Sequence, residues 1–110
     1  MHRELGPGLL ESVYEECLFY ELRQKGIRVE RQKRFNVPYK DQLLNKGFVI
    51  DLLVEDRVIV ELKSVDYVLP VHEVQLVTYL KLASKKLGLL INFNVPLLTE
   101  GVKRKINGTL

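Results

Sequence analysis

Residues Gly47 to Ser64 read GFVIDLLVEDRVIVELKS. Two runs rich in β-branched residues flank Glu55-Asp56-Arg57, the pattern of two strands joined by a tight turn. The even positions Phe48, Ile50, Leu52, Val54, Val58, Val60 and Leu62 are all apolar. The odd positions Val49, Asp51, Leu53, Arg57, Ile59, Glu61 and Lys63 mix apolar with charged. Side chains alternate between faces along a strand. A two-residue loop would pair Val54 with Arg57 and mix the two sets. A three-residue loop pairs Val54 with Val58, keeps the even positions on one face and sets Asp51 opposite Glu61. Register follows the buried face, so the three-residue loop is expected.

The flanking segments extend this hairpin into an α/β pattern. Upstream, Leu10, Val13, Tyr14, Cys17, Leu18 and Leu22 repeat at helical spacing between Leu9 and Lys25, and Gly26 follows as a natural stop. Residues Ile27 to Val37 alternate as a strand that Pro38 is expected to end. Downstream, His72 to Lys86 carries Val74, Val77, Leu80 and Ala83 as a helical stripe, and LLINFNV at Leu89–Val95 reads as a fourth strand. A strand–helix–strand unit over residues 58–95 implies parallel strands joined by a right-handed crossover. The expected order is α-β-β-β-α-β, a mixed four-stranded sheet flanked by helices. Pro96 to Leu110 is expected to be a polar, basic tail with at most a short helical turn.

Length and composition bound the function. The chain has 110 residues, 46% hydrophobic and 28% charged, which describes one globular domain over residues 1–110 rather than a disordered chain. No apolar run reaches the ~20 residues of a membrane span, and no signal peptide opens the chain. The single cysteine, Cys17, excludes an internal disulfide and reads as a small core hydrophobe, so a cytoplasmic setting is expected. The net charge of +3 permits a nucleic-acid partner without demanding one.

The odd face of the hairpin carries the chemistry. Val49, Leu53 and Ile59 imply that a helix covers this face, yet Asp51, Glu61 and Lys63 stand on it. Charges there must pair, bind a cation or line a cleft. Two opposed carboxylates repel unless a proton or a metal lies between them. An all-oxygen site of this kind suits Mg²⁺ or Mn²⁺, and the Leu62 backbone carbonyl could add a ligand. The hairpin residues alone favour an ion-pair network in which Lys63 bridges the two acids.

Gly8-Leu9-Leu10-Glu11-Ser12-Val13-Tyr14 resembles the signature of the GxxExxY protein family. The resemblance extends through Phe48 to Lys63, Gln75 to Tyr79 and Gly88 to Asn94, roughly Leu5 to Asn107. That family belongs with the PD-(D/E)XK nucleases, whose restriction-endonuclease-like core has the element order read above. Gln75-x-x-x-Tyr79 is similar to the QxxxY motif of RecB-like and phage-exonuclease-like members. The resemblance implies a divalent-metal-dependent nuclease that hydrolyses phosphodiester bonds, in DNA in preference to RNA. Asp51, Glu61 and Glu11 match its metal-binding acids and Lys63 its water-orienting lysine. Gln75 and Tyr79 match the helix residues that contact a nucleic-acid backbone or end. The alternatives are a catalytically silent nucleic-acid- or protein-binding module, or a subunit active only in a larger assembly.

Each of these residues also has an ordinary reading. A helix N-terminus favours Glu11 without any metal. Tyr79 would serve as a core-edge aromatic, and Gln75 as a surface polar residue. Tyr14 is expected in the core, His72 as a capping or surface residue and His2 at a fraying end. Basic stretches at Arg28–Arg34, Lys85-Lys86 and Lys103–Lys105 could form a binding track only by clustering around the cleft. The proline that usually precedes the first acid is replaced by Ile50. Family members carry a longer first segment, so the chain reads as shortened at its start. Apolar surface exposed there would promote a homo-oligomer.

Overall fold

The computed structural model describes residues 1–108; Thr109 and Leu110, the end of the expected tail, lie outside the described residues. The order is α1 (His2–Leu5), α2 (Glu11–Gln24), β1 (Val29–Tyr39), β2 (Gln42–Val54), β3 (Val58–Lys63), α3 (Pro70–Leu82), β4 (Leu87–Asn92), a 3-10 turn (Leu98–Gly101) and β5 (Val102–Ile106). The strands form one sheet in the order β1-β2-β3-β4-β5. β3 and β4 run parallel across α3, and the other neighbours are antiparallel. This is a mixed α/β sheet with helices on both faces, as expected, but it has five strands rather than four. No helix among the described residues is long and apolar enough to cross a membrane.

The hairpin loop is the expected one: Val54 pairs with Val58. Glu55 and Asp56 take left-handed φ values of 53° and 55° to close it. Glu55 also ties the loop to β1. Its N–H donates to the Arg28 carbonyl (2.8 Å), and its Oε1 accepts from the Arg28 N–H (2.7 Å).

The single apolar face is not what forms. Leu52, Val60 and Leu62 pack under α2 with Tyr14, Val29 and Phe93. Ile50 instead packs under α3 with Leu53, Ile59, Leu76, Leu80 and Leu90, flanked by Phe35 and Phe48. The switch falls between Ile50 and Leu52. Arg31 pairs with Leu52 and Lys33 with Ile50, so Gln32 and Asp51 are skipped without any change of register. Gln32 takes a left-handed φ of 48°. One skipped residue in each strand turns both strands over, and each face then buries a different half of the same alternating run.

The helices form near their expected spans but are rotated, and α3 ends at Leu82, before the expected Lys86. In α2 the buried side is Tyr14 with Leu18, Phe19 and Leu22, while Leu10 and Val13 face outward. Gly26 stops the helix at φ 77°, and the Ile27 N–H reaches back to the Leu22 carbonyl (3.0 Å). In α3, Leu76 and Leu80 form the buried seam, half-buried Tyr79 and Ala83 pack beside it, and Val74 is exposed. α3 starts at Pro70, two residues earlier than expected, because a first-turn proline lacks only an N–H that would go unpaired there anyway. His72 caps it, its Nδ1 accepting the Leu69 N–H (3.1 Å).

Three local expectations need correction. Pro38 lies inside β1 rather than ending it; β1 is an edge strand, where one side of the backbone needs no donor. His2 is not frayed: it is buried, and its Nε2 lies 3.0 Å from the Phe93 carbonyl. The tail is not irregular, because VKRKI at 102–106 adds β5 beside β4. Lys105 and Lys103 reach Glu73 on α3 at 2.7 and 4.0 Å.

Gly101 makes the turn into β5. A Cβ there would stand 2.0 Å from the Asn92 carbonyl oxygen. Gly101→Ala is therefore expected to cost about 1–3 kcal/mol. Hydrogen exchange at residues 103–105 should quicken more than in β3. Equal protection in both proteins would contradict the close approach.

Candidate active site

The skipped pair is also where β2 and β3 part. Their ladder joins Leu52–Val60, Leu53–Ile59 and Val54–Val58 and goes no further. Beyond it, side chains replace backbone partners. The Asp51 N–H donates to Glu61 Oε2 (3.1 Å), and the Leu62 N–H donates to Asp51 Oδ2 (2.7 Å). The two acids thus meet as the sequence pairing anticipates, but across a splay rather than within a regular ladder.

Their surroundings differ. Alternation along β3 places Glu61 on the face of Ile59, toward α3, while Leu62 faces α2. Glu61 is only 8% exposed. Burial first, then hydrogen bonding with and repulsion by Asp51, push its carboxyl from 4.5 up to about 9; the Asp51 N–H and the charge of Lys63 oppose this. Asp51 lines a cleft of about 170 Å³ with Glu11, Ser12, Glu15, Gln32 and Leu62, at the N-terminal end of α2.

Glu11 is the first residue of α2, and its Oε2 lies 3.4 Å from the Ser64 N–H. Ser64 Oγ donates to the Leu9 carbonyl (2.6 Å), so the end of β3 and the start of α2 are stitched together. Behind them, the Tyr14 hydroxyl donates to the Gly6 carbonyl and accepts the Leu9 N–H (3.2 Å). Lys63 ends β3, half-buried, and among the described residues it forms no ion pair. The bridge from Lys63 to both acids, which the residues alone allowed, is therefore absent among the described residues.

On α3, Tyr79 stacks on Phe48 with ring centroids 4.4 Å apart, and Phe48 in turn lies 5.6 Å from Phe35. Burial first, then the negative field of Glu61 and Asp51, raise the Tyr79 hydroxyl above its usual value. Gln75 is exposed one helical turn earlier. Asp51 and Glu61 meet at the splay, Glu11 lines the α2-side cleft with Asp51, Tyr79 packs on the α3 side, and Gln75 stays exposed on α3.

The side-chain donors of Asp51, Glu61 and Glu11 are all oxygen, and the Glu61 carboxyl is held in its neutral form beside Asp51. That is chemistry a hard divalent cation suits. Among the described residues, no three His, Cys, Asp or Glu side chains stand ready to hold a metal. Asp51 and Glu61 are joined through the Asp51 N–H, and Glu11 lines the same cleft as Asp51.

Of the basic runs, Arg31 pairs with the cleft residue Glu15 (3.2 Å), while Lys33 pairs with Glu30 (3.4 Å) and Lys85 with Asp56 (3.1 Å). Two cleft residues escaped the sequence reading. Glu15 lies one helical turn after Glu11, so their shared face was visible in the spacing. Gln32 carried no local signal.

Comparison with known proteins bears on the fold and the family. The crystal structure of SSO0001 matches with a TM-score of 0.52 and 21% identity, which speaks to the fold alone. The match covers 90% of this chain and 50% of that one, so the chain spans about half the length of that structure. No curated protein matches the chain. A family model described as the PD-(D/E)XK nuclease superfamily matches residues 1–105. Matched over nearly its whole length and built on a mixed five-stranded α/β sheet, the chain belongs to the PD-(D/E)XK nuclease superfamily.

Proposed function

We propose that this protein hydrolyses phosphodiester bonds in nucleic acid, DNA in preference to RNA, with a divalent cation, Mg²⁺ or Mn²⁺. One observation carries the reading: a buried Glu61 carboxyl, pushed up to about 9, presses against Asp51 where β2 and β3 part. A structural ion pair would place a base between two acids. Here, among the described residues, the charge that lowers Glu61 is that of Lys63, and it is outweighed.

In this reading Asp51, Glu61 and the Leu62 carbonyl would hold the cation, with Glu11 as a further carboxylate from the start of α2. The bound ion would supply charge for the phosphate oxygens and acidify a water. Lys63, next to Glu61 on the same strand face, orients that water and adds a positive charge where negative charge grows. Tyr79 and Gln75 present a hydroxyl and an amide along one face of α3, suited to hold a phosphate oxygen or a strand end. The cell's nucleic acid and free Mg²⁺ fit a cytoplasmic setting.

The test is cleavage of labelled single- and double-stranded DNA and RNA with Mn²⁺ and with chelator. Lys63→Ala is expected to lower the rate by about 10²–10³-fold with an unchanged circular dichroism spectrum. Full activity in both Lys63→Ala and Glu61→Ala would sink the assignment.

A second reading is a non-cleaving nucleic-acid- or protein-binding module on the same fold. It is favoured by the lack, among the described residues, of a ready three-acid cage. Salt-sensitive DNA binding with no cleavage under any divalent ion would select it.

A further inference from the structure

We propose that Glu15 is a positioning residue, fixing the Asp51 carboxylate through the side-chain amide of Gln32. The inference rests on the site reading above and adds residues to it. Glu15 sits on α2 and is only 8% exposed. A buried carboxylate needs partners, and Glu15 has two. Its Oε2 accepts from the Arg31 guanidinium (3.2 Å), and its Oε1 accepts from Gln32 Nε2. The same Gln32 nitrogen lies 3.4 Å from Asp51 Oδ1. An amide nitrogen has two hydrogens, so one group can serve both acids at once.

The three residues come from three elements, α2, β1 and β2, and meet in the cleft that Asp51 lines. The backbone is bent to allow it. Gln32 holds a left-handed φ of 48° and is skipped, with Asp51, in the β1–β2 ladder. Non-glycine residues hold such values only where the surroundings enforce them, and such positions cluster at functional sites. Arg31 locks the far end, lying over the Phe19 ring at 5.1 Å while it pairs with Glu15. Asp51 is then held at both oxygens, by Gln32 at Oδ1 and by the Leu62 N–H at Oδ2 (2.7 Å). An acid held at both oxygens cannot rotate toward Glu61 or away from the cleft.

The test separates positioning from plain structure. Gln32→Gly removes the amide and relieves the left-handed φ, so a merely structural Gln32 would show up as a stability change alone. Positioning predicts more. Gln32→Gly and Glu15→Ala should each move the Asp51 ¹³Cγ resonance, although Glu15 reaches Asp51 only through Gln32. The double variant should move it no further than Gln32→Gly does. In cleavage assays each single variant should lower kcat by about 10–100-fold with little change in KM, again without additivity.

An unmoved Asp51 resonance in Glu15→Ala, or additive effects in the double variant, would overturn the inference. The ¹³C readout needs neither metal nor substrate. If the wild-type protein cleaves nothing but the Asp51 coupling is present, the positioning role stands and the nuclease reading falls.

Discussion

Glu61→Gln is expected to stabilise the folded chain at neutral and alkaline pH while lowering cleavage by at least about 10²–10³-fold. Burial and Asp51 push the Glu61 carboxyl from 4.5 up to about 9. Between those values the folded protein holds a proton that the unfolded chain has released. Stability must then fall as pH rises, because the unfolded state binds fewer protons. The contribution is whole below 4.5 and is drained progressively as pH climbs toward 9. Glutamine never ionises, yet its carbonyl can still accept the Asp51 N–H and its amide can donate to the Asp51 carboxylate. The expected gain is about 1–3 kcal/mol at pH 7. Urea unfolding at about pH 5, 7 and 9 checks this: the two proteins should converge at the acid end and separate toward the alkaline end. Parallel curves across that range would show that Glu61 is not held protonated. A residue whose replacement improves stability and removes activity is one kept for chemistry.

Tyr14→Ala should have the opposite character, with a loss of about 3–5 kcal/mol, enough to unfold a domain of marginal stability. Tyr14 is fully buried and stacks on Phe93, with ring centroids 4.5 Å apart and planes 7° from parallel. Its hydroxyl holds the Gly6 carbonyl and the Leu9 N–H, so one side chain joins the core to the loop that aims Glu11. Tyr14→Phe keeps the ring and should cost only about 1–2 kcal/mol, with faster hydrogen exchange at Leu9. If Tyr14→Phe is as damaging as Tyr14→Ala, the hydroxyl rather than the ring stack carries the anchor.

The two substitutions also show what could be read in advance. Tyr14 sits on a helical apolar stripe, so its burial followed from spacing alone. Glu61 and Asp51 could be placed across a hairpin because the loop at 55–57 sets the register between neighbouring strands. Gln75 and Tyr79 share a helix face by their spacing. What could not be read was which side of the sheet each acid serves. That depends on the skipped Gln32–Asp51 pair, and Gln32 looks like any surface residue of a charged strand. β5 was also hidden. VKRKI has only Val102 and Ile106 as apolar residues, because an edge strand beside β4 needs no continuous apolar face and its lysines find Glu73.

The sequence by itself determined the two long helices, the first four strands and the three-residue loop, and placed the two acids at one point along the hairpin. These depend on contacts between residues a few positions apart, or one tight turn apart. Only the tertiary structure decided that Glu61 is buried toward α3 and that Asp51 lines the α2 cleft beside Glu15. The Glu61 shift arises from neighbours distant in sequence, the packing of α3 and the opposed Asp51, and no local periodicity reports a desolvation that several elements create together. The same holds for the turnover of β1 and β2. Two strands of alternating apolar residues could lie flat against one helix, but helices on both sides leave each strand to bury a different half of its run.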